Sequence, residues 1–438
     1  MGSDKLIHEL EAQELEVVIG LETHIRLNTA TKLFCACPNE ESEKPNHNIC
    51  PVCTGQMGVL PAVNKEAVRK AIRFGKAVNS TMANKVIYWD RKHYEYPDLP
   101  KNFQLTQFQK PVIPDGFVEC YRNDSTKFRV ELQQVHIEED AAKLLHEPGC
   151  SLVDFNKAGV PLIEVVTKPC IHAIHDAPVY AQNLQRIVQV LQISEANLEK
   201  GEFKSDVSVS LRKKGSHNLN PRAEIKNLNS FKFMQEAIAE EVKKQLDYYT
   251  RHHAFRPEQT TVLFDADLKQ TKTMRQKEFA ADYRFALEPD IPPVNIAQEI
   301  EETILDYRFL PSQIETILIE GGVLPKDAKF FSADLQRSKV FLEINDQLKQ
   351  PLFVARTLAN NLKPADYEKI TVIEPFIGII SLFRHDQISH ELLLEMLGRL
   401  LEDNHYDYNA YIKENFIPEE KIAETIAELI KQNPDIVS

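Results

Sequence analysis

The sequence predicts an α+β protein, on three observations. Between Leu15 and about Val294 it is rich in short β-type runs, turn residues and polar knots, whereas beyond Ala297 it becomes almost wholly helical in pattern. Pro289, Pro292 and Pro293 mark the change, because proline stops an element and stiffens a connection. Strands first and helices after is the order of an α+β chain or of separate domains.

At 438 residues, 43% hydrophobic and 27% charged, the chain is an ordinary globular composition with room for roughly two to four domains. A formal net charge of −13 argues against wholesale coating of nucleic acid and leaves a local basic groove open. The longest strongly apolar stretch, Val372 to Phe383, is interrupted by Glu374 and Pro375 and is too short to span a bilayer. Met1-Gly2-Ser3-Asp4-Lys5 lacks the apolar core of a signal peptide, and Leu6 breaks the myristoylation pattern. Residues 1–14 read as an N-terminal arm or an added leader. Seven cysteines, four of them between 35 and 53, suggest a metal site in a reducing compartment, so the cytoplasm or an organelle matrix is expected.

Helices are expected over Ile300–Tyr307, Leu310–Ile319, Leu352–Leu362, Asp386–Leu401 and Pro418–Lys431. The last opens with Pro418-Glu419-Glu420, where proline fits the first turn and acids suit the dipole. Upstream, Val17–Leu27 reads as a strand whose alternation puts Glu22, His24 and Arg26 on one face. A carboxylate and an imidazole so placed can address one cation, although a solvated strand face is the plainer reading of that segment alone. Further carboxylates come in Val135–Asp140 and in Val160–Val166, where Glu164 interrupts an apolar strand; an unpaired buried carboxylate is costly and normally has a partner. A Glu-rich set with one His suits magnesium bridging to ATP phosphates.

Three polar knots, Asp90–Gln104, Asp154–Gly159 and Glu224–Ser230, carry lysines able to hold phosphate as point charges, though each alone reads as a surface residue. No Walker or Rossmann loop is present. Cys35-x-Cys37 followed by Cys50-x-x-Cys53 offers four thiolates to tetrahedral zinc, a structural arrangement because protein fills every position. Cys120, Cys150 and Cys170 lack such spacing and read as small inert hydrophobes.

Together, Gly20-Leu21-Glu22-Thr23-His24, the cysteine pairs with Pro51-Val52, Tyr96–Lys101, His136-Ile137-Glu138-Glu139-Asp140 and Ala158–Glu164 resemble the GatB/GatE family. The likeness continues through Glu224–Phe231 and Asp282-Tyr283-Arg284 to Glu288–Pro293, and so runs over residues 15–293 in unbroken motif order. It implies a cradle domain of mixed β-sheets and helices (15–293), then an all-α region: a helical domain (294–365) and a shortened YqeY-like tail (366–438). It also implies a carbon–nitrogen ligase with glutamine as amido donor. In the family, ATP and magnesium phosphorylate the side-chain carboxylate of Glu or Asp misattached to tRNA(Gln) or tRNA(Asn), and ammonia displaces the phosphate. The implied partners are a GatA-type amidase supplying ammonia, a GatC-type subunit and misacylated tRNA, with no membrane. The chain shows no Ser-Ser-Lys amidase motif of its own.

Carried over by motif, Glu22, His24, Glu139 and Glu164 are the implied catalytic magnesium ligands. Lys101, Asn156, Lys157 and Lys226 are the implied nucleotide or intermediate contacts, and Cys35, Cys37, Cys50 and Cys53 the implied structural zinc site. The chain departs from the family at Lys168-Pro169-Cys170, Lys204-Ser205-Asp206, Thr261–Asp265 and Phe285-Ala286-Leu287. It also stops at Ser438, where the family tail would continue through another helix and a Gly- and Lys-rich segment that grips tRNA; the tail reads as either cut short or natively reduced. Two other readings stand beside the family one: a paralogue activating a carboxylate not carried by tRNA, and a non-catalytic scaffold, against which four retained ligands argue.

Overall fold

The structure, a computed structural model, describes residues 3–276, 283–415 and 419–432. Asp282 of the Asp282-Tyr283-Arg284 motif, Pro418 and the last six residues lie outside the described residues. The chain opens with helix α1 (Ser3–Ala12), strand β1 (Leu15–Arg26), helix α2 (Lys65–Ala77) and strands β2 (Val86–Ile87), β3 (Asp90–His93), β4 (Phe103–Thr106) and β5 (Phe117–Tyr121). There follow β6 (Lys127–Glu139), β7 (Lys143–Glu147), β8 (Cys150–Asp154), β9 (Pro161–Thr167), α3 (Asp176–Val190), β10 (Phe203–Lys213), β11 (Ala223–Lys226) and α4 (Phe231–His252). Strands β12 (Thr260–Asp265), β13 (Gln270–Gln276), β14 (Arg284–Leu287) and β15 (Val294–Asn295) complete the β part. The helical part comprises α5 (Ala297–Glu302), α6 (Pro311–Glu320), α7 (Pro325–Ser332), α8 (Leu335–Leu348), α9 (Pro351–Asn361), α10 (Glu374–Arg384), α11 (His390–Glu402), α12 (Tyr408–Asn415) and α13 (Glu419–Gln432).

Two compact units result: residues 1–319 with 324–335, and residues 320–323 with 336–438. The first is built on an eight-stranded sheet in the order β13-β12-β11-β10-β1-β9-β6-β5, with a separate three-stranded sheet β14-β3-β4. The long β1 lies in the middle of the large sheet because its odd-numbered side chains from Leu15 to Ile25 are all buried, while Glu22 and His24 project from the other face. Helix α4 packs on β10 and β13, and α3 packs on α4 and β5. Ile19, Ile25, Leu184, Val207, Ile238 and Val242, all fully buried, belong to this core. In the second unit α10 packs on α11, burying Phe376, Ile379, Ile380, Leu393 and Met396.

Local chemistry explains where the expected elements shift. The stretch read as an arm is helical, because Leu6 and Leu10, one turn apart, reach the core at 5% exposure each. The helix expected over Ile300–Tyr307 stops at Glu302, and Asp306 starts a separate 3-10 turn at Tyr307–Phe309 by accepting from the Arg308 amide at 3.1 Å. Similarly, α11 begins at His390 rather than Asp386 because the Ser389 hydroxyl caps the Leu392 amide at 3.2 Å.

Candidate active site

Sheet register assembles the site. His24 on β1 lies opposite Lys204 on β10 and Glu164 on β9, and Glu164 lies opposite His136 on β6. Four residues distant in sequence thus form one row across four strands. One step along β1 on the same face, Glu22 lies opposite Asp206, and two residues along β6 from His136 comes Glu138.

The donor atoms converge. His24 Nε2 is 3.2 Å from Glu138 Oε1 and 3.8 Å from Glu164 Oε2. His136 Nε2 is 2.5 Å from Glu164 Oε2 and 3.8 Å from Glu138 Oε2. Glu22, His24 and Glu164 form one group whose ligand atoms lie within 4.8 Å of one another, and His136, Glu138 and Glu164 form another. These side chains fit a hard divalent cation, since they bring mostly carboxylate oxygen with imidazole as the minority donor.

They floor a cavity of about 550 Å³. One wall carries Lys204, Asp206, Arg222, Glu224 and Lys226, with Lys226 ion-paired to Asp206 and, at 2.8 Å, to Glu224. The other wall carries Lys92, Tyr94, Gln104, Phe108, Tyr283 and Phe285. Although the Glu22 side chain borders the open cavity, burial of its carboxyl, then the neighbouring Glu164, pushes it up to about 7. Burial alone would lower His24, but its hydrogen bond to Glu138 and the surrounding carboxylates lift it to about 10. Burial opposes ionisation of Glu164, yet the His136 hydrogen bond and both imidazoles hold it well below the usual carboxylate range. Asp140, at the cavity edge, is raised by burial.

Of the residues singled out from sequence, Glu22, His24, Glu164 and Lys226 reach the cavity. Glu139 faces the other side of β6, where its carboxylate accepts from Lys101 Nζ at 2.5 and 2.6 Å and from the Leu105 amide at 3.0 Å. Lys101 borders a neighbouring cavity of about 360 Å³ that also touches the cysteine loop. Asn156 is 8% exposed and clamps backbone: its Oδ1 accepts from the Asn48 amide at 2.8 Å and its Nδ2 donates to the Lys44 carbonyl at 2.8 Å. Lys157 lies half-buried on the adjacent 3-10 turn, close enough to Asp140 to counter its raised carboxyl. Sequence reasoning passed over Glu138 and His136, which carry the signal that found Glu22 and His24: ligand types two apart on a strand.

The four cysteines also converge, as expected. Cys53 Sγ lies 3.9 Å from Cys50 Sγ and 4.0 Å from Cys37 Sγ, and all four sulfurs fall within 4.8 Å of one another. A tetrahedron with metal–sulfur arms of about 2.3 Å has edges of about 3.8 Å, so the group is positioned to bind a metal. Cys53 is brought down to about 4 by its hydrogen bond with Cys35 and, against burial, by the Cys50 amide and Lys32. Lys32 itself is fully buried, its Nζ 3.7 Å from Cys53 Sγ and 3.3 Å from the Phe155 carbonyl. Cys37 is pushed up to about 11, by burial first and then by its sulfur neighbours. Of the other cysteines Cys120 is buried as expected, whereas Cys150 is exposed on the β7–β8 ribbon and does not act as a core residue.

Fold and site together define an α+β enzyme chain with a cation-ready acidic cavity on one face of its main sheet and a tetrathiolate group nearby. Within that class the chain belongs to the GatB/GatE catalytic domain family, whose model matches residues 17–302. It is similar to bacterial proteins named as the B subunit of aspartyl/glutamyl-tRNA(Asn/Gln) amidotransferase. That of Campylobacter hominis is 37% identical, covering 91% of this chain and 85% of the relative. That of Campylobacter jejuni is 40% identical, covering 82% and 78%. That of Helicobacter pylori is 37% identical, covering 96% and 91%. No described helix is long and apolar enough to cross a membrane.

Proposed function

We propose that this chain is the carboxylate-activating subunit of a tRNA-dependent amidotransferase, acting on Glu-tRNA(Gln), Asp-tRNA(Asn) or both. The observation that carries the reading is the row Lys204–His24–Glu164–His136 with Glu22 and Glu138 beside it, in a cavity whose walls add Lys92, Arg222 and Lys226. Glu22, His24, Glu164 and Glu138 would hold Mg2+, which supplies charge neutralisation for the transferring phosphoryl group. In this assignment Glu138 takes the ligand position that motif matching gave to Glu139.

The residues' own work is positioning and electrostatics. Lys204, Arg222 and Lys226 draw the triphosphate of ATP onto the acidic floor. The side-chain carboxylate oxygen of the aminoacyl group attacks the γ-phosphorus, ADP leaves, and an acyl phosphate forms. Ammonia, released from glutamine by a GatA-type amidase in an assembly with a GatC-type subunit, attacks the carbonyl carbon. Phosphate then leaves, carrying the former carboxylate oxygen. The tetrathiolate would hold a structural Zn2+ that ties the loop bearing Cys35–Cys53 to the Asp154–Gly159 turn. Residues 15–293 would supply this chemistry, with 294–365 and 366–438 presenting the tRNA.

The test is conversion of Glu-tRNA(Gln) to Gln-tRNA(Gln), dependent on ATP and glutamine, by the chain assembled with its amidase partners. Conversion that disappears in Glu164→Ala supports the reading. A stable wild-type assembly that binds nucleotide but converts neither Glu-tRNA(Gln) nor Asp-tRNA(Asn) sinks it.

A further inference from the structure

The three-stranded sheet β14-β3-β4 presents one face to the cavity, and its register shows what that face carries. Phe285 lies opposite Lys92, and Lys92 lies opposite Gln104, so one row crosses all three strands. Tyr283 and Tyr94, two residues away on their segments, extend the same face, and Phe108 closes it beyond β4. All six side chains line the cavity opposite the wall of Lys204, Arg222 and Lys226.

This face is built for flat, weakly charged groups. Phe108 and Phe285 stack with ring centres 4.1 Å apart and planes inclined by 14°, and Phe108 is still 54% exposed. Tyr94 and Tyr283 meet edge to face at 5.7 Å, with Tyr283 44% exposed. The Lys92 ammonium hangs over these rings, 4.7 Å from the centre of Tyr283 and 6.0 Å from that of Tyr94. A large exposed aromatic surface is costly to keep in water unless something covers it. Aromatic rings on a sheet face with an interleaved cation are how proteins hold unpaired nucleotides, the rings stacking on bases and the cation meeting the backbone.

We infer that this face is a stacking platform for the unpaired 3′-terminal nucleotides of the RNA that carries the carboxylate. The inference rests on the carboxylate-activation reading above and adds the place where the RNA end is held. Charge favours the RNA end over the adenine of ATP as occupant. The triphosphate is drawn to the cationic wall opposite, whereas the aminoacyl ester at an RNA terminus must reach the acidic floor from a base held within one nucleotide of it. Stacking also suits a chain whose net charge of −13 leaves little for phosphate-driven binding.

The test compares binding of two RNA minihelices to the full chain, one with a single-stranded 3′-ACCA end and one blunt, with AMP-PNP binding measured in parallel. The wild type should prefer the overhang, and Phe285→Ala and Phe108→Ala should each weaken overhang binding about tenfold. Blunt-helix and AMP-PNP binding should stay unchanged. Phe285→Leu, which keeps apolar bulk without a ring face, should show the same loss and guards against a folding defect in the alanine variant. Equal affinity for both helices, or loss of AMP-PNP binding in Phe285→Leu, overturns the inference. A wild-type assembly that amidates Glu-tRNA(Gln) yet shows no overhang preference overturns the platform while leaving the carboxylate-activation reading standing.

Discussion

At Glu22, a carboxyl that titrates near 7 must give up its proton before it can hold a cation. In the metal-free chain this group binds more protons folded than unfolded between about pH 4.5 and 7, so its contribution to stability is present below 4.5 and lost as pH rises through 7. Glu22→Gln removes that titration. With a chelator present, the variant should melt level with the wild type near pH 4.5 and increasingly above it toward pH 8, as read by thermal melts across that range. A pH-independent difference would contradict the assignment. Asn156 makes a complementary prediction. Because its amide holds two backbone groups of the cysteine loop, Asn156→Ala should destabilise the chain by about 1–3 kcal/mol in urea titrations. AMP-PNP affinity should not change, and a selective loss of nucleotide binding would return Asn156 to the role its motif suggested.

The elements show which parts of the site the sequence could and could not reveal. Glu22 and His24 were readable because their two-residue spacing, flanked by the apolar Leu21 and Ile25, belongs to a single strand. On β6 the same parity pairs His136 with Glu138, since Val135 and Ile137 are fully buried on the opposite face with Glu139. Motif matching alone selected the other parity, whose carboxylate faces away from the cavity. That Lys204, Asp206 and Arg222 join the wall depends on how β10 and β11 pair with β1 and each other, a register set by non-local contacts that no local pattern encodes. The N-terminal helix was hidden for a similar reason: its two leucines gain a meaning only against a core that forms later in the chain. The β6 parity is directly testable. Glu138→Gln should lower Mn2+ affinity about tenfold or more, while Glu139→Gln should leave it nearly unchanged, by calorimetric titration of the full chain. Equal losses would place both carboxylates on the cation.

Over the whole first unit, the cysteine group and the acidic cavity share a short piece of backbone. Gly159 accepts from the Leu33 amide on the cysteine side and donates to the Asp140 carbonyl at the cavity edge, with φ at +84°. A β-carbon there would meet Cys53 Cβ at 3.4 Å and Lys32 Cδ at 3.6 Å in a conformation that side chains rarely adopt. Gly159→Ala is therefore expected to cost about 1–2 kcal/mol in urea unfolding and to lower metal retention, measured as zinc per chain. Retained zinc with unchanged stability would show that the turn does not link the two sites. A strong chelator should likewise remove about one zinc per chain and lower the melting temperature, because thiolate ligation stabilises only the folded loop.

The central claim is that the cavity transfers the γ-phosphoryl group of ATP to a carboxylate before ammonia arrives. Glu-tRNA(Gln) labelled with heavy oxygen in both side-chain carboxylate positions, converted by the full assembly, tests it most directly. The account predicts one heavy oxygen in each phosphate released, matched to Gln-tRNA(Gln) formed, and neither product in Glu164→Ala. Amidation accompanied by unlabelled phosphate would contradict it.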